Sequence, residues 1–278
     1  MRRATDFSSG LRVDRGFTLV EMIISIVISG VVLSMVGMFG RRQIEAYMDV
    51  GARAELADAA DTALRRIGRD LQSALPNSVR MDAGGTFLEY VPIVDSGRYR
   101  ADLGDTSDPL TGGTAPGVFN FGVADSSFQV LGPDINLTNA ARLVVFNLGI
   151  PGSDVYEGSS STPVSAYDAG TKMLSFTSKT FNFPSPQNRF QLVGTPVTYQ
   201  CAPPYIYRHR DYGFQSSVPT SFAGGGDILV GNVESCTFSY TPAVLQRNGM
   251  VVLKLKLTHP GNNETVSLLH QVEVLNTP

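Results

Sequence analysis

The stretch GFTLVEMIISIVISG, residues 16–30, begins a long apolar segment and holds one carboxylate, that of Glu21. The apolar segment continues to Phe39, so residues 17–39 contain a single ionisable side chain. A helix rises about 1.5 Å per residue, which makes the segment long enough to cross a bilayer core of roughly 30 Å. A carboxylate deep in lipid costs about 2.5 kcal/mol or more and less near the end of a span, so a plain anchor stays an alternative that explains the length of the segment but not Glu21.

The residues before the apolar segment are basic and set its expected orientation. They carry four arginines against two aspartates: Arg2, Arg3, Arg12 and Arg15 against Asp6 and Asp14. Positive charge beside a membrane span favours the cytoplasmic side, so everything after the span is expected to be exported. Arg41 and Arg42 on the far side weaken this asymmetry without reversing it.

Charge and cysteine content narrow the class of protein. A net charge of -3 in 278 residues gives no reason to expect nucleic-acid binding. The chain contains two cysteines, Cys201 and Cys236, and such a pair in an exported domain predicts one disulfide. Closing a loop of that size stabilises the fold by about 4 kcal/mol in the loop-entropy model. Two buried free thiols are the alternative.

The chain divides into four zones, residues 1–16, 17–39, 40–75 and 76–278. In the third zone apolar residues recur at spacings of three and four, which predicts an amphipathic helix that Pro76 ends. The expected apolar stripe consists of Ala57, Ala60, Leu64, Ile67, Leu71 and Ala74. Two acid–base pairs are expected on the solvated face, Asp61 with Arg65 and Arg66 with Asp70.

Beyond Pro76 the apolar pattern changes to a period of two, which predicts strands. The expected strands lie at 86–94, 141–150, 172–178, 189–194, 196–202 and 235–242. Residues 250–259 and 266–274 alternate most clearly, and the PGNN between them predicts a hairpin. The stretch 95–140 is expected to be a long loop, and no second-domain boundary is visible. The fold class is therefore α+β.

Few side chains in the fourth zone suggest chemistry. The three histidines, at 209, 259 and 270, do not form a metal-ligand spacing, and no catalytic constellation is visible. Asp102, Asp105 and Asp108 lie within seven residues, so a calcium loop is conceivable, although a plain solvated acidic loop is favoured. The sequence predicts no enzyme and no cofactor.

The N-terminus is therefore the part of the sequence that indicates a function, and three explanations of it compete. A cleaved secretory signal has a shorter apolar core, and a plain anchor leaves Glu21 unexplained. In the third, the chain is cut between Gly16 and Phe17, which creates a free amine four residues before the carboxylate. In staggered copies of such helices, amine and carboxylate attract each other strongly because the medium is apolar.

Gly16, Phe17, Thr18, Leu19 and Glu21, followed by the apolar run, resemble the cleavage motif of bacterial type IV prepilins and type II secretion pseudopilins. The resemblance implies that a prepilin peptidase cuts after Gly16 and N-methylates Phe17. It also implies that Glu21 pairs with a neighbouring subunit's N-terminal amine. The implied fold is type IV pilin-like, with a long N-terminal helix packed on an antiparallel β-sheet head.

Stretches in the rest of the chain resemble O-type minor pilins of the mannose-sensitive haemagglutinin (MSHA) pilus system. These stretches are RRIGRDLQSALPNSVR (65–80), PVTYQCA, YIYRHRDYG, VESCTFSYTP and VSLLHQVEVLNTP. The helix end RDLQSALP also resembles J-type minor pseudopilins of type II secretion, which are the alternative. The implied partners are other minor and major pilins and the inner-membrane pilus assembly platform. The implied location is the inner membrane before assembly and the cell-surface pilus afterwards.

A competing class of function is a tip adhesin whose head binds a surface glycan. The 95–140 stretch and the aromatic rings of Tyr205, Tyr207 and Tyr212 are the candidates for such a site. Ordinary packing of these rings within the head is the simpler expectation.

Overall fold

The computed structural model describes residues 16–101, 117–242 and 248–277. In these ranges the chain forms one long helix, α1 (Leu19–Gln72), and fourteen strands. The chain divides after Gly51 into two compact units, each with its own internal contacts.

In the first unit the chain is helical from Leu19 onward, and its large apolar side chains face outward. From Phe17 to Phe39 these side chains are between 50% and 78% exposed. The segment has a mean hydropathy of 2.5 over its most apolar window, none of which is buried. By length and composition it is a candidate membrane span.

The second unit begins with the last turns of α1 and continues into strands. The strands are β1 (Arg80–Met81), β2 (Phe87–Tyr90), β3 (Ile93–Tyr99), β4 (Ala124–Leu131), β5 (Arg142–Val144), β6 (Ser161–Asp168), β7 (Met173–Thr180), β8 (Arg189–Val193), β9 (Val197–Ala202), β10 (Tyr205–His209), β11 (Asp227–Val230), β12 (Val233–Thr241), β13 (Gly249–Thr258) and β14 (Thr265–Val274). They form a five-stranded sheet β1-β2-β9-β10-β11, a three-stranded sheet β12-β13-β14 and a closed barrel β3-β4-β7-β6-β5-β8. Every pairing is antiparallel.

The C-terminal part of α1 packs its apolar stripe into a core shared with the two open sheets. The buried positions of the helix are Ala52, Leu56, Ala60, Ala63, Leu64, Ile67, Gly68 and Leu71. This confirms the α+β class, with a long helix on antiparallel sheets. The stripe differs from the expectation, because Leu56 is buried whereas Ala57 is only half-buried, and Ala74 is buried beyond the end of the helix at Gln72. Ala52, Ala63 and Gly68 are buried in addition.

The β13–β14 hairpin is confirmed in its predicted position. Leu253, Leu255 and Leu257 face the core, and Leu253 pairs with His270 of β14. The two lysines between the leucines point away from the core, as their alternation predicts.

The expectation of a long loop over 95–140 is wrong. Most of β3 and all of β4 lie there, and both belong to the barrel, which encloses a separate core rich in aromatic rings. The rings of Tyr99, Phe119, Phe128, Phe176, Phe181 and Phe190 fill it. The barrel, residues 93–193, is inserted between β2 and β9, which are neighbours in the five-stranded sheet. The second unit therefore contains a boundary that the sequence does not reveal.

A disulfide joins Cys201 of β9 to Cys236 of β12, with a Cα–Cα distance of 5.8 Å. It ties the five-stranded sheet to the three-stranded one. The predicted pairing of the two cysteines is therefore present, and it links two strands.

Candidate processing and assembly site

The helix of the first unit begins with a cap supplied by Thr18. Its hydroxyl accepts a hydrogen bond from the Glu21 backbone N–H at 3.2 Å, and its carbonyl accepts one from Met22 at 3.2 Å. A threonine cap followed three residues later by a glutamate is typical of helix N-termini. The local sequence thus starts the helix two residues after the predicted cleavage position.

The Gly16–Phe17 peptide lies outside the helix, just before the cap. The Phe17 side chain is 78% exposed, and a Cβ on Gly16 would meet no atom within 4 Å. An exposed, non-helical peptide bond is accessible to a peptidase, and Gly16 has no side chain that would obstruct the bond from one side. The geometry is therefore compatible with cleavage between these two residues.

The Glu21 carboxylate is exposed in the first turn of α1. In the part of the chain that the structure describes, no cation lies within ion-pair distance of it. Its position at the positive end of the helix dipole is favourable. The carboxylate therefore lies on a largely apolar surface, without a cationic partner among the described residues.

The second unit holds a partly buried polar network that the sequence did not predict. Asp70, expected on the solvated face with Arg66, accepts hydrogen bonds from the Tyr90 and Tyr199 hydroxyls at 2.8 and 2.6 Å. Arg208 lies 3.5 Å from the same carboxylate. Burial, followed by contact with Asp70, raises the pKa of Tyr90 well above its usual value. The network joins the end of α1 to β2, β9 and β10.

A neighbouring network surrounds Glu89, whose side chain has no exposed surface. Arg80 donates to one carboxylate oxygen, and the Tyr212 hydroxyl donates to the other at 2.8 Å. The Tyr212 hydroxyl also lies 2.6 Å from that of Thr198. The Tyr212 hydroxyl is therefore hydrogen-bonded within the Glu89 network. Tyr205 and Tyr207 pack edge to face at 5.6 Å on the half-buried face of β10.

Asp102, Asp105 and Asp108 lie outside the described residues. Among the residues that are described, no group of three or more His, Cys, Asp or Glu side chains is arranged to hold a metal ion. Tyr205 and Tyr207 contact each other, and Tyr212 connects to Tyr207 through the intervening rings of His209 and Phe222.

A family model, the prokaryotic N-terminal methylation motif, matches residues 11–37. This match includes Gly16, Phe17 and Glu21 and supports a protein of the type IV prepilin and pseudopilin class. The motif implies cleavage by a prepilin peptidase and assembly with other pilins, and pilins with this motif are structural, non-enzymatic proteins. With its apolar helix, the chain fits an inner-membrane protein with a single span. No curated protein and no solved structure matches the chain.

Proposed function

We propose that the chain is a minor pilin of an MSHA-type pilus, which joins other minor pilins to start or cap the fibre. In this proposal residues 1–16 are the leader, 17–39 the membrane and filament-core segment, 40–75 its amphipathic continuation and 76–278 the exported head. The observation that carries the proposal is the combination at the start of α1. An exposed peptide bond precedes a capped helix, and the apolar surface of that helix carries the Glu21 carboxylate, which has no ion-pair partner among the described residues.

Cleavage between Gly16 and Phe17 turns this end of the chain into an assembly element. The new amine of Phe17 lies four residues before Glu21 in the same chain. Within one helix the amine and the carboxylate need not contact each other. Between staggered subunits the attraction of amine and carboxylate is strengthened by the surrounding apolar side chains. Glu21 then selects the register in which helices pack.

Replacing Gly16 by leucine is expected to leave the leader attached, because a bulky side chain obstructs the bond to be cut. The measurement is intact mass in cells that also express a prepilin peptidase. Gly10→Leu serves as the control, because it makes the same change inside the leader and away from the bond. A Gly16→Leu protein of mature mass with a methylated Phe17 would show that Gly16 does not direct cleavage.

Glu21→Ala is expected to be cleaved normally but to lower pilus number by about tenfold, which corresponds to ~1.4 kcal/mol lost at assembly. Pili are counted by electron microscopy, with leader removal followed by mass. Glu45→Ala is the control, because Glu45 is exposed on the same helix and pairs with Arg41. Unchanged pilus counts for Glu21→Ala would remove the pairing role.

The alternative of a J-type pseudopilin is separated by complementation. Restoration of MSHA-type pili in a strain that lacks the corresponding minor pilin supports the proposal. Restoration of protein secretion alone supports the pseudopilin. The sequence stretches around residues 65–80 and the two cysteines favour the pilus system.

A further inference from the structure

The outer face of the barrel carries two arginines directly opposite each other. Arg98 of β3 pairs in register with Arg189 of β8, and both residues are exposed. Residues opposite each other on antiparallel strands project from the same face, with Cβ atoms about 5 Å apart. The next pair, Gly97 with Phe190, faces the barrel core, where the Phe190 ring occupies the space that a Cβ on Gly97 would need.

Like charges directly opposite each other on a sheet are destabilising. Within the ranges that the structure describes, no carboxylate lies within ion-pair distance of either guanidinium. Guanidinium groups match the planar, two-oxygen geometry of a carboxylate. A bound anion would therefore offset the repulsion between the two guanidinium groups.

The two arginines line an open groove of about 740 Å³. The next outward-facing pair, Ser96 with Gln191, lines it as well. Gln191 is only 8% exposed, and its Oε1 has no hydrogen-bond partner among the described residues. A buried acceptor without a donor costs about 1–3 kcal/mol. Since the terminal torsion of a glutamine is soft, rotation of this amide can present a donor or an acceptor to a ligand.

We propose that this Arg98–Arg189 groove binds an acidic polysaccharide through its sugar-acid units. The carboxylate lies across the two guanidinium groups, and ring hydroxyls bond to Ser96 and Gln191. A single acidic side chain of a protein partner would use only the guanidinium groups and leave most of the groove empty. The volume falls within the range of small-molecule sites, roughly 300–1,000 Å³. The proposal stands whether or not the chain assembles into a pilus.

The test uses the full-length protein in detergent micelles and measures binding by calorimetry. The probe is a tetramer of galacturonic acid, and its matched control is the same tetramer with every carboxyl methyl-esterified. Binding of the acid form and at least a tenfold loss on esterification are expected. Equal binding of both forms, or no binding of either, would overturn the proposal. Tighter binding of a glutamate-rich hexapeptide would overturn it in favour of an acidic protein partner.

Variants locate the binding to the groove. Arg98→Gln and Arg189→Gln are each expected to weaken binding of the acid tetramer by about tenfold while thermal stability stays equal or rises, because the like-charge contact is removed. Arg66→Gln makes the same charge change on the exposed face of α1 and should bind as the parent protein does. An equal loss in Arg66→Gln would mean that net charge, and not the groove, holds the ligand. Glu21→Ala retains binding, which separates this result from the assembly experiment.

Discussion

Glu89 is a carboxylate without solvent contact, and its environment makes folding depend on pH. Burial raises its pKa above the ordinary value of 4.5, although hydrogen bonds from Arg80 and Tyr212 oppose the shift. The folded chain therefore holds this proton to higher pH than the unfolded chain. The sign follows from proton linkage: this contribution to stability is complete below about pH 4.5 and falls as the pH rises through the raised pKa.

Glu89→Gln is expected to remove that decline. At acid pH Glu89 is itself uncharged, but the NH2 group of the variant cannot accept the hydrogen bond that Arg80 donates to a carboxyl oxygen, so the stability of the variant is lower there. Its deficit relative to the parent protein should shrink as the pH rises above about 4.5. The measurement is urea unfolding at several values between about pH 3 and about pH 7. A deficit that is constant over this range would contradict a raised pKa.

Asp82 provides a control of opposite sign for this experiment. Burial alone would raise its pKa, but hydrogen bonds from the Phe87, Thr86 and Gly84 backbone and the Thr86 hydroxyl together lower it below 3.8. Its contribution to stability is present above about pH 3.8 and is lost as the pH falls through the lowered pKa. In Asp82→Asn the deficit should therefore be largest at neutral pH and shrink towards acid.

At the scale of elements, α1 crosses β14 at Gly68. A Cβ there would lie 3.0 Å from Nε2 of His270 and 3.4 Å from Cγ2 of Val272. Gly68→Ala should change the free energy of unfolding by less than about 1 kcal/mol, because the gain in helix propensity offsets a small shift of His270. Gly68→Leu should cost about 1–3 kcal/mol or more by overpacking, measured by thermal unfolding.

The contact with His270 can be isolated by a double variant. If Gly68→Leu acts by pressing on the imidazole, adding His270→Ala should recover part of the lost stability, because the two changes are coupled. Additive losses would place the strain on the Val272 side or in the helix backbone.

The elements that were predicted correctly are those whose own sequence sets which side is buried. The stripe of α1 and the leucine–lysine alternation of β13 each bury one face against a large apolar surface, so the periodicity is visible. Asp70 was placed wrongly because its hydrogen-bond partners, Tyr90 and Tyr199, lie 20 and 129 residues away along the chain. A local pairing rule for Arg66 and Asp70 could not reveal partners that only the sheet brings together.

At the scale of the molecule, the barrel is the feature that the sequence hid. Its strands β4 and β6, ADSSFQVL and STPVSAYD, are rich in short polar residues, and each contributes only two fully buried side chains. The alternation of buried and exposed side chains in these two strands is therefore too weak to distinguish them from a loop. Only the turn-rich composition of this part of the chain is visible in the sequence. The start of α1 was predicted for the opposite reason. Gly16, Phe17, Thr18 and Glu21 are contiguous, so the candidate processing site did not require any long-range contact to be inferred.

The topology of the second unit implies that the two open sheets do not need the barrel for their pairing. Tyr90 of β2 pairs directly with Val197 of β9. The chain therefore leaves the five-stranded sheet after Tyr90, forms the barrel, and returns to the sheet at the residue opposite Tyr90. Replacing residues 91–196 by Asn-Gly should close β2 and β9 into a two-residue hairpin. The Cys201–Cys236 disulfide and the α1 core remain in this shortened chain.

The shortened chain is expected to unfold cooperatively at a lower temperature than the parent protein, because Leu75 loses the barrel residues Val144, Val155 and Tyr156 that cover it. Circular dichroism against temperature measures the transition, and mass spectrometry under non-reducing conditions checks the disulfide. Leu75→Thr in the same chain removes the newly exposed apolar surface and guards against aggregation. If that variant also shows no cooperative transition, the barrel is part of the folding unit, and the sheets do not form without it.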